Sequence, residues 1–191
     1  MSTAGISALR VVTVNGSYST SSKTGALLEL VTDTLADRLA IEVTRIELAD
    51  LRDEFATALA PEDTGPRARA ALDALAPADL VIAGTPVFKG SYSGLFKHFF
   101  DLLDVYDLAT KPVLLVATGG SERHALVIEH ALRPLFGFFQ AQTAPVGIYV
   151  AAGDFDGTLV LNPEVHARIE IAVDDLVPVL ELRRHHALGT T

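Results

Sequence analysis

Two rhythms of apolar positions alternate along this chain. Short apolar, β-branched runs bounded by turn residues occur at 9–15 (LRVVTVN), 79–85 (DLVIAGT), 111–118 (KPVLLVAT) and 144–150 (APVGIYV), and predict buried strands. A fifth run, 41–48 (IEVTRIEL), alternates apolar and polar residues as a strand does. Between the runs, apolar residues recur at helical spacing. This predicts helices over 23–39, 67–78, 94–104 (with Ser93 as N-cap), 121–139 and 163–186. Pro134 falls inside the fourth of these and predicts a kink or bulge there. The stretch 51–66, punctuated by Pro61 and Pro66, is the least regular part.

Strand and helix thus alternate five times, which implies α/β architecture with a parallel sheet covered on both faces. Five strands in one unit favour the flavodoxin-like order 2-1-3-4-5, a three-layer sandwich occupying all of residues 1–191 as a single domain. In such sheets ligands bind beyond the carboxyl ends of the strands, near the switch in strand order. The loops that matter then follow the first, third and fourth strands.

The first of these, NGSYSTSSKT (15–24), holds six serines and threonines at the start of a helix. A helix N-terminus presents unpaired N–H groups and a partial positive charge, which suits phosphate. Neither common phosphate loop fits. Gly16 is one residue too far from Lys23 for a Walker A loop, with Ser22 where its second glycine belongs, and the three glycines of the dinucleotide fingerprint are missing. Hydroxyls of Ser17, Ser19, Thr20, Ser22 and Thr24 can instead join backbone N–H groups around a single phosphate. A plain N-cap followed by a solvated loop is the competing explanation, since Ser and Thr are favoured there. The second loop (85–94) carries Pro86, Val87, Phe88, Lys89 and Gly90, and the third (118–124) carries Thr118, Gly119, Gly120 and Ser121. Paired glycines let backbone approach a flat ring closely. One loop supplying phosphate donors and two supplying a slot for a ring describe an FMN site.

Composition narrows the function classes. A formal net charge of −9 without a basic stripe argues against nucleic acid. The absence of cysteine removes disulfide, thiolate and zinc–cysteine chemistry and fits a cytoplasmic protein. The start MSTAGISA is short and polar, unlike a signal peptide, and no apolar run approaches the ~20 residues of a membrane span. We find no acid–base dyad at convincing spacing and no metal site. His98, His124 and His130 fall on predicted helices and read as surface or interface residues. Arg123 is either solvated or turned toward a dinucleotide phosphate or a neighbouring subunit.

The segments GTPVFKGSYSGLFKHFFDLLD and KPVLLVATGGSERHALVIEHALRPLFGFF resemble the NADPH-dependent FMN reductase family. Within it they are most similar to flavin reductases serving two-component alkanesulfonate and methanesulfonate monooxygenases. The likeness runs from about residue 9 to about residue 150. It implies hydride transfer from NADPH or NADH to FMN, reduced flavin passing to a partner monooxygenase, and a homodimer or homotetramer. Carried over by position, Ser17, Ser19, Ser22 and Thr24 would meet the phosphate, Pro86, Val87, Phe88 and Lys89 one side of the ring, and Thr118, Gly119, Gly120 and Ser121 its other edge. Two departures stand out. Phe88 replaces a common tyrosine, losing a hydroxyl and keeping the stacking surface, and the first loop lacks the arginine often found among its hydroxyls. The rival functions are an NAD(P)H-dependent quinone, azo-dye or metal reductase with retained FMN, a flavodoxin-type electron carrier, and a protein-binding module without cofactor. The helices at 94–104 and 121–139 are apolar on more than one face. This points to a subunit interface, with Phe96, Phe100 and His130 as candidate contacts.

Overall fold

The computed structural model describes residues 8–189, with side chains described as far as residue 185. The N-terminal stretch 1–7, on which part of the signal-peptide argument rests, lies outside the described residues.

Four parallel strands form the body of the sheet: β1 (Leu9–Asn15), β2 (Ile41–Glu47), β3 (Leu80–Pro86) and β4 (Pro112–Gly119), in the order 2-1-3-4. Along the central three, side chains alternate between two cores. Leu9, Val11, Leu80, Ile82, Leu114 and Val116 face α1 (Lys23–Ala36) and the closing helix α6 (Pro163–Gly189). Val12, Val14, Val81, Ala83, Leu115 and Ala117 face α2 (Leu48–Phe55), α3 (Pro66–Asp73), α4 (Gly94–Asp101) and α5 (Arg133–Phe138). Coverage of both faces is why these strands are continuously apolar, whereas β2 at the edge keeps an in–out alternation.

The fifth position is occupied by two short strands, β5 (Gln142–Thr143) and β6 (Ile148–Ala151), both parallel to β4. The expected strand at 144–150 is therefore broken. Thr143 pairs with Val113 and Ile148 with Val116, so five steps on one side match three on the other. Pro145 cannot donate to a ladder. At Gly147 a Cβ would come 2.5 Å from Ile128 Cγ2, so backbone passes close to the neighbouring helical segment. With that qualification the order is 2-1-3-4-5.

Four other expectations are corrected. Residues 48–55 are helical, with Leu48, Leu51 and Phe55 buried along one stripe. The turn signals at Pro61 and Pro66 belong to the connection that follows. The predicted helix over 94–104 ends at Asp101. The helix over 121–139 is resolved into a 3-10 turn (Glu122–His124), a π turn (Ile128–Leu132) and α5. Pro134 explains the π turn: its ring would strike the carbonyl four residues back, and a widened turn avoids this. Between β6 and α6, where no structure was expected, β7 (Phe155–Asp156) and β8 (Leu159–Val160) form a small antiparallel pair.

The last correction concerns the apolar surplus on α4. Phe96 and Phe100 are fully buried, with ring centroids 4.7 Å apart, and pack on Phe136 of α5. They are core residues, because α4 is enclosed by the sheet, by α2 and by α5. The apolar groups left exposed nearby are Leu126 (63%) and Phe138 (67%), and His130 is exposed beside them.

Candidate active site

The three loops meet at the carboxyl ends of β1, β3 and β4, where the order of strands switches. Each is tied to another by bonds between residues far apart in sequence. Ser93 Oγ donates to Gly16 O at 2.5 Å while capping α4 through Phe96 N–H (3.2 Å). Thr24 Oγ1 and Thr118 Oγ1 lie 2.7 Å apart, both buried. Val87 N–H donates to Thr118 O at 2.7 Å, and Tyr18 Oη accepts from Gly94 N–H at 3.0 Å. A Cβ on Gly16 would stand 2.7 Å from Phe96 Cδ2 and 2.9 Å from Phe96 Cβ, so loop one rests directly on α4.

Within loop one, Ser17 Oγ accepts from Ser19 N–H (3.1 Å), and Ser22 Oγ caps α1 by accepting from Gly25 N–H (3.0 Å). Both hydroxyls act as acceptors in these bonds, so both protons remain available to a ligand. Ser19 Oγ donates to Ser21 O. Thr20 is exposed and has no hydrogen-bond partner among the described residues. Thr24 is turned inward to Thr118, so it faces the loop through the N–H of the first helical turn rather than through its hydroxyl. Lys23 points away: its Nζ donates to Ala152 O at 3.2 Å and sits 5.1 Å from the Phe155 ring centroid. The donors of loop one are therefore neutral.

Loop two begins with Pro86 and half-buried Val87, then closes as a hairpin in which Phe88 and Ser91 exchange two backbone bonds of 2.8 and 3.1 Å. Lys89 and Gly90 form the turn, with φ of 52° and 86°. Two successive positive φ values belong to a mirror-image hairpin turn, for which glycine is suited and lysine is not. The Lys89 side chain is exposed. Phe88 (43% exposed) packs at 4.9 Å against Tyr18 (45% exposed), a pair of aromatic rings open to solvent at the rim.

In loop three, Tyr149 of β6 lies against Gly119, and a Cβ there would overlap its hydroxyl. That hydroxyl donates to Ser121 O at 2.6 Å, and burial, aided by the charges of Glu122 and Asp154, holds its pKa above the usual phenol range. Gly120 is open, with no atom within 4 Å of where a Cβ would be. The loops thus combine free hydroxyl protons, a helix N-terminus, exposed aromatic rings and an uncovered glycine backbone. This donor set fits a flavin mononucleotide.

Sequence reasoning missed Asn15, Tyr18, Thr85 and Tyr149. Thr85 Oγ1 accepts from Ser93 N–H at 3.0 Å. Asn15 bonds to both ends of loop one. His98 and His130 lie outside the loops, His98 with Nε2 2.9 Å from Phe55 O and His130 exposed, while Arg123 and His124 close the third loop with exposed side chains. Among the described residues no three His, Asp or Glu side chains gather as a metal site, and no helix is long and apolar enough to cross a membrane.

The profile of the NADPH-dependent FMN reductase family matches residues 9–156, from β1 to β7. The chain belongs to that family. All three loops lie inside the matched segment and α6 lies beyond it. An FMN reductase (NADPH) of Pseudomonas aeruginosa is 42% identical over 173 residues, covering 91% of this chain and 93% of the relative. An NADH-dependent FMN reductase, SfnF, of Pseudomonas fluorescens is 43% identical over 171 residues, covering 90% and 91%. Among solved structures, an oxidoreductase of Corynebacterium diphtheriae superposes with a TM-score of 0.77 at 36% identity, over 91% of this chain and 98% of that one.

Proposed function

We propose that this member of the FMN reductase family transfers hydride from NADPH or NADH to FMN, and that its whole length forms one flavin-binding domain. The supporting observation is the convergence of three cross-tied loops whose unused donors suit one phosphate and whose open glycine and aromatic rim suit a flat ring. The family relatives named above use either nicotinamide donor, so both are assigned. Hydride chemistry is supplied by the cofactors themselves, and the protein's part is to hold, align and exclude water. Ser17, Thr20 and Ser22 would hold the phosphate through their free hydroxyl protons and Thr24 through its N–H at the start of α1, and Ser19 would join them by turning its hydroxyl from Ser21 O. Pro86, Val87, Phe88, Lys89 and Gly90 form one wall of the ring site. Thr118, Gly119, Gly120 and Ser121 would form the other, where the open backbone at Gly120 lets a donor approach the edge at which negative charge develops. No catalytic acid or base is assigned. Steady-state oxidation of NADPH and of NADH, each with and without added FMN, tests the proposal. Oxidation is expected to depend on FMN, and a chain that oxidises neither donor with FMN present would not be such a reductase.

Ser17→Ala and Ser22→Ala are each expected to weaken FMN binding about tenfold, since a hydrogen bond to a charged group is worth ~1.5–3 kcal/mol. Ser22→Ala should also lower stability by ~1 kcal/mol through its lost cap. Calorimetric titration with FMN measures the first effect and thermal melting the second; unchanged affinity in both variants removes these hydroxyls from the phosphate site. Reduced flavin is proposed to pass to a partner monooxygenase, as the resemblance implies, and the lack of cysteine supports a cytoplasmic setting. The chain is also proposed to form a homodimer or homotetramer. The groove lined by Tyr92, Leu103, Leu135 and Phe138, with exposed Leu126 nearby, supports this. Light scattering is expected to give a multiple of 20.3 kDa; a monomeric mass with full activity would overturn it.

A further inference from the structure

Asn15 is the last residue of β1, 1% exposed, and faces Glu47 in register at the end of β2. Its amide makes three bonds. Oδ1 accepts from Ser17 N–H at 3.1 Å, Nδ2 donates to Ser22 Oγ at 3.2 Å, and Nδ2 also donates to Glu47 Oε2 at 2.7 Å. One side chain therefore joins both ends of the hydroxyl loop. Gly25 leaves room for it: a Cβ there would stand 3.0 Å from Asn15 Nδ2 and 3.3 Å from Ser22 Oγ.

A carboxamide can sit in either of two orientations related by a half-turn. Reversed, Asn15 would set its oxygen against the Glu47 carboxylate and its N–H₂ against the Ser17 N–H, two repulsive pairs. Glu47 therefore selects the orientation in which the loop closes. The shortest of the three bonds is the one to the carboxylate, as charge-assisted bonds are. The Glu47 carboxylate reaches Ser17 and Ser22 by hydrogen bonds only through the Asn15 amide, so its influence passes through Asn15.

We propose, building on the FMN assignment above, that Asn15 and Glu47 are positioning residues for the phosphate loop: Glu47 fixes the Asn15 amide, and the amide fixes Ser17 and Ser22 at the spacing one phosphate requires. The pair reads out on phosphate alone, so it distinguishes FMN from riboflavin without touching the ring.

The test measures binding of FMN and of riboflavin by quenching of flavin fluorescence, with kcat and KM for FMN alongside. Asn15→Asp places a carboxylate against Glu47 and removes both donated bonds. It is expected to weaken FMN about tenfold or more, with riboflavin unchanged and kcat at saturating FMN nearly unchanged. Adding Glu47→Gln to Asn15→Asp restores one of the two lost bonds with donor and acceptor reversed, since the glutamine amide donates to the new carboxylate, and part of the FMN affinity is expected to return; the bond donated to Ser22 Oγ stays lost. Glu47→Ala alone should weaken FMN, while Glu47→Gln alone, which keeps an acceptor for Asn15, should stay within about threefold of wild type. A double variant no tighter than Asn15→Asp, or equal losses for FMN and riboflavin, overturns the positioning role. Wild-type protein that binds riboflavin as tightly as FMN would instead refute the phosphate assignment, and this role with it.

Discussion

Gly16→Ala should lower both the stability of this chain and its affinity for FMN. Its new methyl group would meet Phe96 at the Cβ, 2.9 Å away, and at Cδ2, 2.7 Å away. A collision with the root of a side chain cannot be relieved by a rotamer change. Phe96 is itself fixed, fully buried among Tyr92, Phe100 and Phe136. The loop cannot withdraw either, because Gly16 N–H donates to Gly84 O at 2.8 Å and Gly16 O accepts from Ser93 Oγ. Overpacking of this kind costs about 1–3 kcal/mol. In a chain of 191 residues each kcal/mol corresponds to ~2–4 °C in Tm. Melting of the FMN-free protein should show that loss, and FMN affinity should fall with it as Ser17 is displaced. Gly137→Ala is the control: Gly137 lies in α5 with no atom within 4 Å of the added methyl, and the change should be neutral or stabilising by up to ~1 kcal/mol. An unchanged melt for Gly16→Ala would mean that the loop does not rest on α4 as described.

Gly119→Ala should act on activity more than on stability. The methyl would overlap the Tyr149 hydroxyl, which holds Ser121 O at 2.6 Å. Moving that hydroxyl releases loop three, proposed to carry one wall of the ring site. FMN-dependent NADPH oxidation is expected to fall at least tenfold, consistent with the sensitivity of rates to small misplacements of reacting groups. Tyr149→Phe alone removes only the bond to Ser121 and should be the milder change. In the Tyr149→Phe background the nearest obstacle to the new methyl becomes the ring carbon at 2.9 Å, so Gly119→Ala should cost less there than in wild type. Additive effects of the two changes would count against contact as the cause.

Much of this arrangement can be read from the sequence because it is local. Buried strands of a sheet covered on both faces are continuously apolar, and the loops they feed are visibly different in composition. The strand order follows from the alternation, and the three loops at its switch point follow from the order. What escaped is non-local. Asn15 reads as the end of a strand until Glu47, 32 residues away, is seen in register with it. Tyr149 reads as one residue of a strand until Gly119 is found beneath it. The aromatic surplus of α4 suggests a subunit contact because a sequence does not reveal how many neighbours enclose a helix. Residues 48–55 were obscured by the prolines after them, although Leu48, Leu51 and Phe55 already trace a helical stripe.

The broken fifth strand has a consequence for solubility. A long, flat outer strand offers a row of unpaired N–H and C=O groups to any other chain, and growth of sheets from such borders is a common route to aggregation. Here one border is split into segments of two and four residues around Pro145, too short and offset to template a partner. The opposite border, β2, carries Glu42, Arg45 and Glu47 along its length, charges that a stacked copy would have to desolvate. Copies of this protein are thereby discouraged from joining sheet to sheet, and helix faces are left as the ground on which ordered assembly can take place.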